Sequence, residues 1–322
     1  MADRAAPSAR MSSGGADGAR SNSTVGSSHA GLDDVAGPTP LELFAHRSLR
    51  HVGLLLGAGF LLTIAAISIL GPLVIELDPY GQDLLKRLKP PFWMQGSDPA
   101  HLLGTDHLGR DYLSRLVHGA RISLLIGFLV ATVSGFIGVT LGIVAGYFRG
   151  PIDAAVMFIV TARLATPIIL VALAVVAVVG SSLQSVILVL GLLLWDRYAL
   201  VTRAVTLQLR EQEFVIAARA AGFSQARVLL NTVLPNIANP IIVVATLEMA
   251  QAILLEAALS FLGLGVEAPL PSWGLMVSEG KDYILFEPWV IAIPGLALLL
   301  LVLSINLVGD GLRDVTAPEG RT

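Results

Sequence analysis

From about residue 50 onward the chain alternates long, nearly uncharged apolar runs with shorter polar stretches. Six runs approach or exceed the roughly 20 residues a helix needs to cross a bilayer: 52–77, 122–148, 154–179, 183–201, 240–264 and 288–308. The 26 residues of the first would reach about 39 Å as a helix, against a hydrocarbon core of about 30 Å, so it crosses with tilt. In lipid each spanning segment must satisfy its own backbone hydrogen bonds, which selects helices for runs this long. The pattern predicts an all-α fold, a polytopic membrane helix bundle with six transmembrane helices.

Two finer patterns lie inside the runs. Ser134, Gly138, Gly142 and Gly146 fall four apart, a small-residue stripe that lets another helix approach closely. It points to bundle packing, with the wall of a pathway as the alternative. Arg163, Glu248 and Glu256 are ionisable groups within runs, costly in lipid and expected to face the interior or a partner. Glu256 reads as the most deeply placed, with Glu248 two turns earlier on nearly the same face. A proton or cation relay would need further charged groups in facing runs, and Arg163 is the one found. A structural pair or a hydrogen bond to a neighbouring helix is therefore the expected role. Arg163 and Asp310 read as near enough to span ends or cavities to be solvated.

The polar stretches set the topology. Residues 1–48, rich in Ser, Gly and Ala, cannot bury enough apolar surface to offset their ordering entropy and are expected to be a disordered cytoplasmic tail. A secretory signal is not expected, because the first apolar run begins some fifty residues in and is too long. An even number of spans places both termini on one side. The five arginines that precede the first run, Arg149 after the second, and Arg203, Arg210, Arg219 and Arg227 after the fourth put that side in the cytoplasm, together with loop 202–239 and tail 312–322. Loops 78–121 and 265–287 are then external, although Lys86, Arg87, Lys89, Arg110, Arg115 and Arg121 in the first depart from the usual charge bias.

Composition narrows the class. Charged residues are 14% of 322, hydrophobic residues 54%, and mean hydropathy is +0.75, values of an integral membrane protein. A net charge of −3 with no basic domain gives no reason to expect nucleic acid. With no Cys there is no disulfide framework and no thiolate chemistry. None of the three lysines, Lys86, Lys89 and Lys281, follows the glycine pattern of a phosphate-binding loop, so the chain itself is expected to lack an ATPase site. His101 and His107 flank LLGTD but show no third ligand along the sequence, and read as solvated loop histidines. No catalytic residue, cofactor site or metal site is expected in this chain.

Residues 213–235, EFVIAARAAGFSQARVLLNTVLP, form a moderately polar helical stretch between two runs. Phe214, Ala217, Ala218 and Ala221 share one helical face, with Glu213, Arg219 and the preceding Arg210 off it. Gly222 stands where a left-handed closing residue costs least. Ser224 can cap a second helix from Gln225 to Leu234, which Pro235 is expected to stop. From spacing alone this is a jointed helix pair or an amphipathic loop on the membrane surface.

The literal residues add a resemblance. AARAAGFSQARVLLNTVLPN resembles the EAA loop of ABC-importer permeases, whose pattern is E-A-A, three residues, G, nine residues, then I-x-L-P. Ala217, Ala218, Gly222, Leu234 and Pro235 match, whereas Ile216 replaces the usual Glu and Thr232 the usual Ile. LLGTDHLGRDYLSRLVHGARISL at 102–124, EAALSFLGLGVEAPLPSWG at 256–274 and NLVGDGLRDVTAP at 306–318 look like the C-type permease subunit of dipeptide and oligopeptide importers. The resemblance implies a type I ABC-importer permease fold and a multi-pass protein of a bacterial or archaeal cytoplasmic membrane. It implies a second homologous permease, an external substrate-binding protein, and two cytoplasmic subunits that bind ATP and Mg. Residues 213–235 would be the coupling helix docked in the ATPase groove, with Arg219 pairing an acidic groove residue and Glu213 standing in for the missing Glu. Cargo would be di- or oligopeptides, with haem, nickel or another metal chelate as the alternative. A secondary transporter would instead show paired inverted repeats with broken helices at mid-depth, and no internal repeat is visible.

Overall fold

The structure is a computed structural model that describes residues 46–74 and 78–316. Most of the tail expected to be disordered, the end of the first run and residues 317–322 lie outside the described residues. The chain forms α1 (Val52–Val74), α2 (Tyr112–Phe148), α3 (Gly150–Leu164), α4 (Ile168–Val179), α5 (Leu183–Leu193) and α6 (Asp196–Leu209). It continues through α7 (Glu213–Ala220), α8 (Gln225–Val228), a π turn (Leu229–Val233), α9 (Leu234–Asn236), α10 (Ala238–Phe261), α11 (Trp273–Gly280) and α12 (Trp289–Thr316).

Among the described residues, five stretches are long and apolar enough to cross a membrane: Val52–Leu73, Tyr112–Phe148, Leu183–Leu209, Ala238–Phe261 and Trp289–Thr316. The predicted straight span 154–179 is instead the pair α3 and α4, bent by 87° between Leu164 and Ile168. Pro167 explains the bend, since its ring disfavours helical geometry at Thr166 and its own extended backbone (ψ 117°) restarts the helix. The predicted span 183–201 runs on to Leu209 and is broken at Leu194 and Trp195. The second helix begins ten residues earlier than its apolar run, at Tyr112, because Asp111 accepts a hydrogen bond from the Ser114 amide at 2.7 Å and caps it.

The bundle is built around α2. Ile126 and Val130 pack with Ala172 and Val176 of α4, Leu190 of α5 and Leu259 of α10. Tyr112 and Ala120 pack with Ile253 of α10, Trp273 and Met276 of α11, and Trp289 and Leu301 of α12. The small-residue stripe faces α6 and is buried throughout. A Cβ on Gly142 would lie 2.6 Å from the Ala199 carbonyl oxygen and one on Gly146 2.8 Å from that of Arg203, while one on Gly138 would collide with the Trp195 carbonyl. Backbones this close require residues without side chains. Phe128, Phe136, Phe158 and Val178 point outward, a surface that is costly in water and costs nothing in lipid.

Candidate functional site

The stretch 213–235 is a jointed pair of short helices. Gly222 has φ +79°, its amide bonds the Arg219 carbonyl at 2.9 Å, and the Phe223 amide reaches back to Ala218 at 3.3 Å. These two bonds close α7 with a left-handed residue, a conformation that glycine adopts at least cost. Ser224 Oγ accepts from the Arg227 amide at 3.4 Å and starts α8. Pro235 does not stop the second helix: it sits in the first turn of α9, directly after the π turn, and α10 follows one residue past Asn236. Proline is tolerated there because an amide in a first turn has no intrahelical acceptor.

One face of this pair is anchored and the other is open. Val215, Val228, Val233 and Ile237 are fully buried around Tyr147, the penultimate residue of α2. Tyr147 is a hub: its ring lies 4.5 Å beneath the Arg219 guanidinium, its hydroxyl accepts from Arg219 Nε at 3.1 Å and donates to Gln225, and its carbonyl accepts from Arg210 at 2.6 Å. Arg219 therefore turns inward to this chain's own helix. It lies four residues after buried Val215 and shares its face. Glu213, Phe214, Ile216, Ala217, Gly222 and Pro235 are exposed, and Ala218 and Leu234 half-buried. Tyr147 and Gln225 escaped sequence reading because their contacts span 72 and 78 residues.

The charged residues within the bundle pair across helices. Arg163, at the end of α3, donates to the Leu193 carbonyl at 2.8 Å through Nε and lies 3.3 Å from Asp196. It fills the α5–α6 break and is only 17% exposed, rather than solvated. Glu248, fully buried, lies 3.4 Å from Arg197. Asp196 and Arg197 were missed, although WDRY inside an otherwise apolar run is a visible signal. Glu248 is the eleventh and Glu256 the nineteenth of the 24 residues of α10, and both are fully buried. The Glu256 carboxylate accepts from Ser260 and Ser272 at 2.8 Å each, and Ser272 also caps α11. It latches the loop after α10 back onto that helix.

At the far end of α2 lies a buried ionic cluster. Asp106 Oδ2 is 2.6 Å from both Arg110 Nε and Arg115, and Glu279 of α11 is 2.6 Å from Arg115 and 3.1 Å from Arg110. Burial pushes the Asp106 carboxyl up, but the charge of Arg115, the Arg110 amide and the charge of Arg110 outweigh it and hold it below its ordinary 3.8. The histidines read as solvated are partly enclosed. His101 pairs with Asp111 at 2.9 Å, both under one-fifth exposed, and His107 stacks on Tyr283 at 6.0 Å. His107, without His101, joins Asp106 and Glu279 in presenting ligand atoms within 4.8 Å of one another. Two guanidiniums already occupy those carboxylates, which disfavours a cation there.

Comparison with known proteins supplies the family. Residues 138–321 match the family described as binding-protein-dependent transport system inner membrane component. The di/tripeptide transport system permease protein of Pseudomonas aeruginosa is 42% identical over 88% of this chain and 93% of its own length. The dipeptide transport system permease proteins of Haemophilus influenzae and Escherichia coli K12 are 38% and 42% identical, each over 87% of this chain and 95% and 94% of their own length. Among solved structures, a methionine ABC transporter captured in inward-facing conformations superposes with a TM-score of 0.50 at 21% identity, covering 63% of this chain and 97% of the other. At that identity the likeness is one of fold, the type I permease bundle. Sequence and fold agree that the chain belongs to the family of inner membrane components of binding-protein-dependent transport systems.

Proposed function

We propose that the chain is one of two permease subunits of an ATP-driven importer for dipeptides and tripeptides. It forms half of the translocation pathway and is driven through residues 213–235. The cargo follows from what the curated relatives are named for. One observation carries the drive: α7 and α8, jointed at Gly222, expose Phe214 and Ile216 at 44% and 51% while their other face is fixed to α2 at Tyr147. An apolar surface on a short element is suited to seat in a partner's groove, and the Tyr147 contacts pass its displacement to the longest helix. Here the drive comes from ATPase subunits on the cytoplasmic side, where both termini also lie. The external binding protein delivers cargo to the opposite face. Glu213 and Ala217 belong to the docked surface, and Arg219 holds the hinge rather than the partner.

The test is reconstitution of the chain with its partner permease, ATPase subunits and binding protein in liposomes. Dipeptide uptake that requires both ATP and the binding protein is expected, and full uptake by this chain alone without ATP would overturn the reading. Ala217→Arg, on the open face, is expected to lose the ATPase subunits on co-purification while keeping the partner permease. Retention of the ATPase subunits at wild-type yield would move the docking surface elsewhere.

A further inference from the structure

Four charged side chains and two helix interruptions converge on one place in the bundle. α3 and α4 are bent by 87°, α5 and α6 part at Leu194 and Trp195, and Arg163 bridges the two interruptions through the Leu193 carbonyl and Asp196. Beside Asp196, Arg197 pairs with Glu248. Both partners are central: Arg197 is the fifteenth of the 27 residues Leu183–Leu209 and Glu248 the eleventh of the 24 in α10.

The two partners differ in exposure. Glu248 is 0% exposed and Arg197 is 55% exposed. Both Glu248 carboxylate oxygens are buried without a hydrogen-bond partner among the described residues, so the 3.4 Å ion pair is their compensation. A guanidinium open at this depth does not face hydrocarbon, where it would be strongly disfavoured; it faces protein or a water-filled cavity. Helix interruptions at mid-depth carry the same condition, being tolerated where they are buried or line a cavity.

We propose that Arg197, held by Glu248, lines the translocation pathway and receives the terminal carboxylate of the passing peptide. This rests on the peptide reading above. Arg163, Asp196, Arg197 and Glu248 sum to zero charge, so the site is electrically balanced when empty. Glu248 approaches one guanidinium nitrogen from the buried side, which leaves the exposed N–H groups to a carboxylate arriving from the cavity. A terminal carboxylate is common to all peptides, so the site selects the class without selecting side chains. No group is transferred; the contact forms and is released as the pathway changes its opening.

The test uses the reconstituted four-component importer and radiolabelled dialanine at saturating binding protein. Arg197→Gln is expected to lower the initial rate of uptake by about tenfold while ATP hydrolysis stimulated by loaded binding protein stays within about twofold of wild type, and Arg197→Lys, which keeps the charge but not the planar fork, is expected to fall between Arg197→Gln and wild type. Uptake by Arg197→Gln at the wild-type rate overturns the proposal. Since this variant leaves Glu248 buried and unpaired, the double variant R197Q/E248Q, neutral at both positions, is the second arm and is expected to assemble and show the same transport defect. Double-variant uptake at the wild-type rate, or failure of both variants to assemble, assigns the pair a structural role only and overturns the proposal. A wild-type complex that hydrolyses ATP but imports no peptide overturns the peptide reading itself, an outcome visible before any variant is made.

Discussion

Arg115 shows how much one side chain can hold. It is 0% exposed, touches Asp106 and Glu279 at 2.6 Å each, and joins the start of α2 to α11. Removing one member of a buried ionic cluster leaves the remaining charges uncompensated, so Arg115→Met is expected to cost about 3 kcal/mol, read as a lowered Tm of the detergent-solubilised protein. An unchanged Tm would mean that Arg110 alone suffices for both carboxylates. The pH dependence has a definite sign. The folded Asp106 carboxyl is held below 3.8, so its contribution is complete above that value and is lost as pH falls through the folded pKa. Tm is therefore insensitive to this group from neutrality down to about pH 5 and falls below about pH 4. The sequence displayed Arg110 and Arg115 only as exceptions to the charge bias of an external loop. Their partner Glu279 is 164 residues from Arg115, and no local pattern encodes a contact of that separation.

Local spacing did encode much at the scale of elements. The stripe of Ser134, Gly138, Gly142 and Gly146 was visible because four-residue spacing is a property of one helix; that it meets α6 is not. Gly142→Leu is expected to destabilise the bundle by about 2 kcal/mol, since the added side chain begins 2.6 Å from the Ala199 carbonyl oxygen and cannot be relieved by a rotamer change. Phe136→Leu, about one and two-thirds turns away and 77% exposed, is the control and should leave the thermal transition in place. Equal Tm values for the two variants would mean that α2 and α6 do not approach this closely. The hinge divides the same way. Gly222, Ser224 and the short α7 were legible from residue chemistry, whereas the inward turn of Arg219 depends on Tyr147, whose place beneath α7 only the folded chain sets. Pro235 misled because a proline that ends one helix and a proline that begins the next look alike in sequence. The α5–α6 break carries neither Gly nor Pro at Leu194 and Trp195, so no local breaker announced it.

Across the whole molecule, α2 joins the ionic cluster, the α6 seam and the hinge. Its 37 residues give a rod of about 55 Å, well beyond a hydrocarbon core of about 30 Å. The buried ionic cluster grips its first turn, α6 lies against its glycine stripe, and the Tyr147 hub fixes the hinge to its last turn. Every backbone hydrogen bond along such a rod is internal, so a push at the hinge is expected to move the chain's two ends together rather than to bend it between them. The chain has no cysteine, so paired labels report without background. With spin labels at Ala100→Cys, in the exposed loop before α2, and Gln212→Cys, just before α7, the distance within one chain is expected to change by less than ~5 Å, one helical pitch, between ATP-free and ATP-trapped complexes. In the proposed importer, the distance from Gln212→Cys to a label on the partner permease is expected to change by more than that over the same step. If the intrachain distance changes more than the distance between subunits, α2 bends or the hinge slides over Tyr147. The drive would then have to reach the pathway through α10, which the π turn and α9 join to the same hinge.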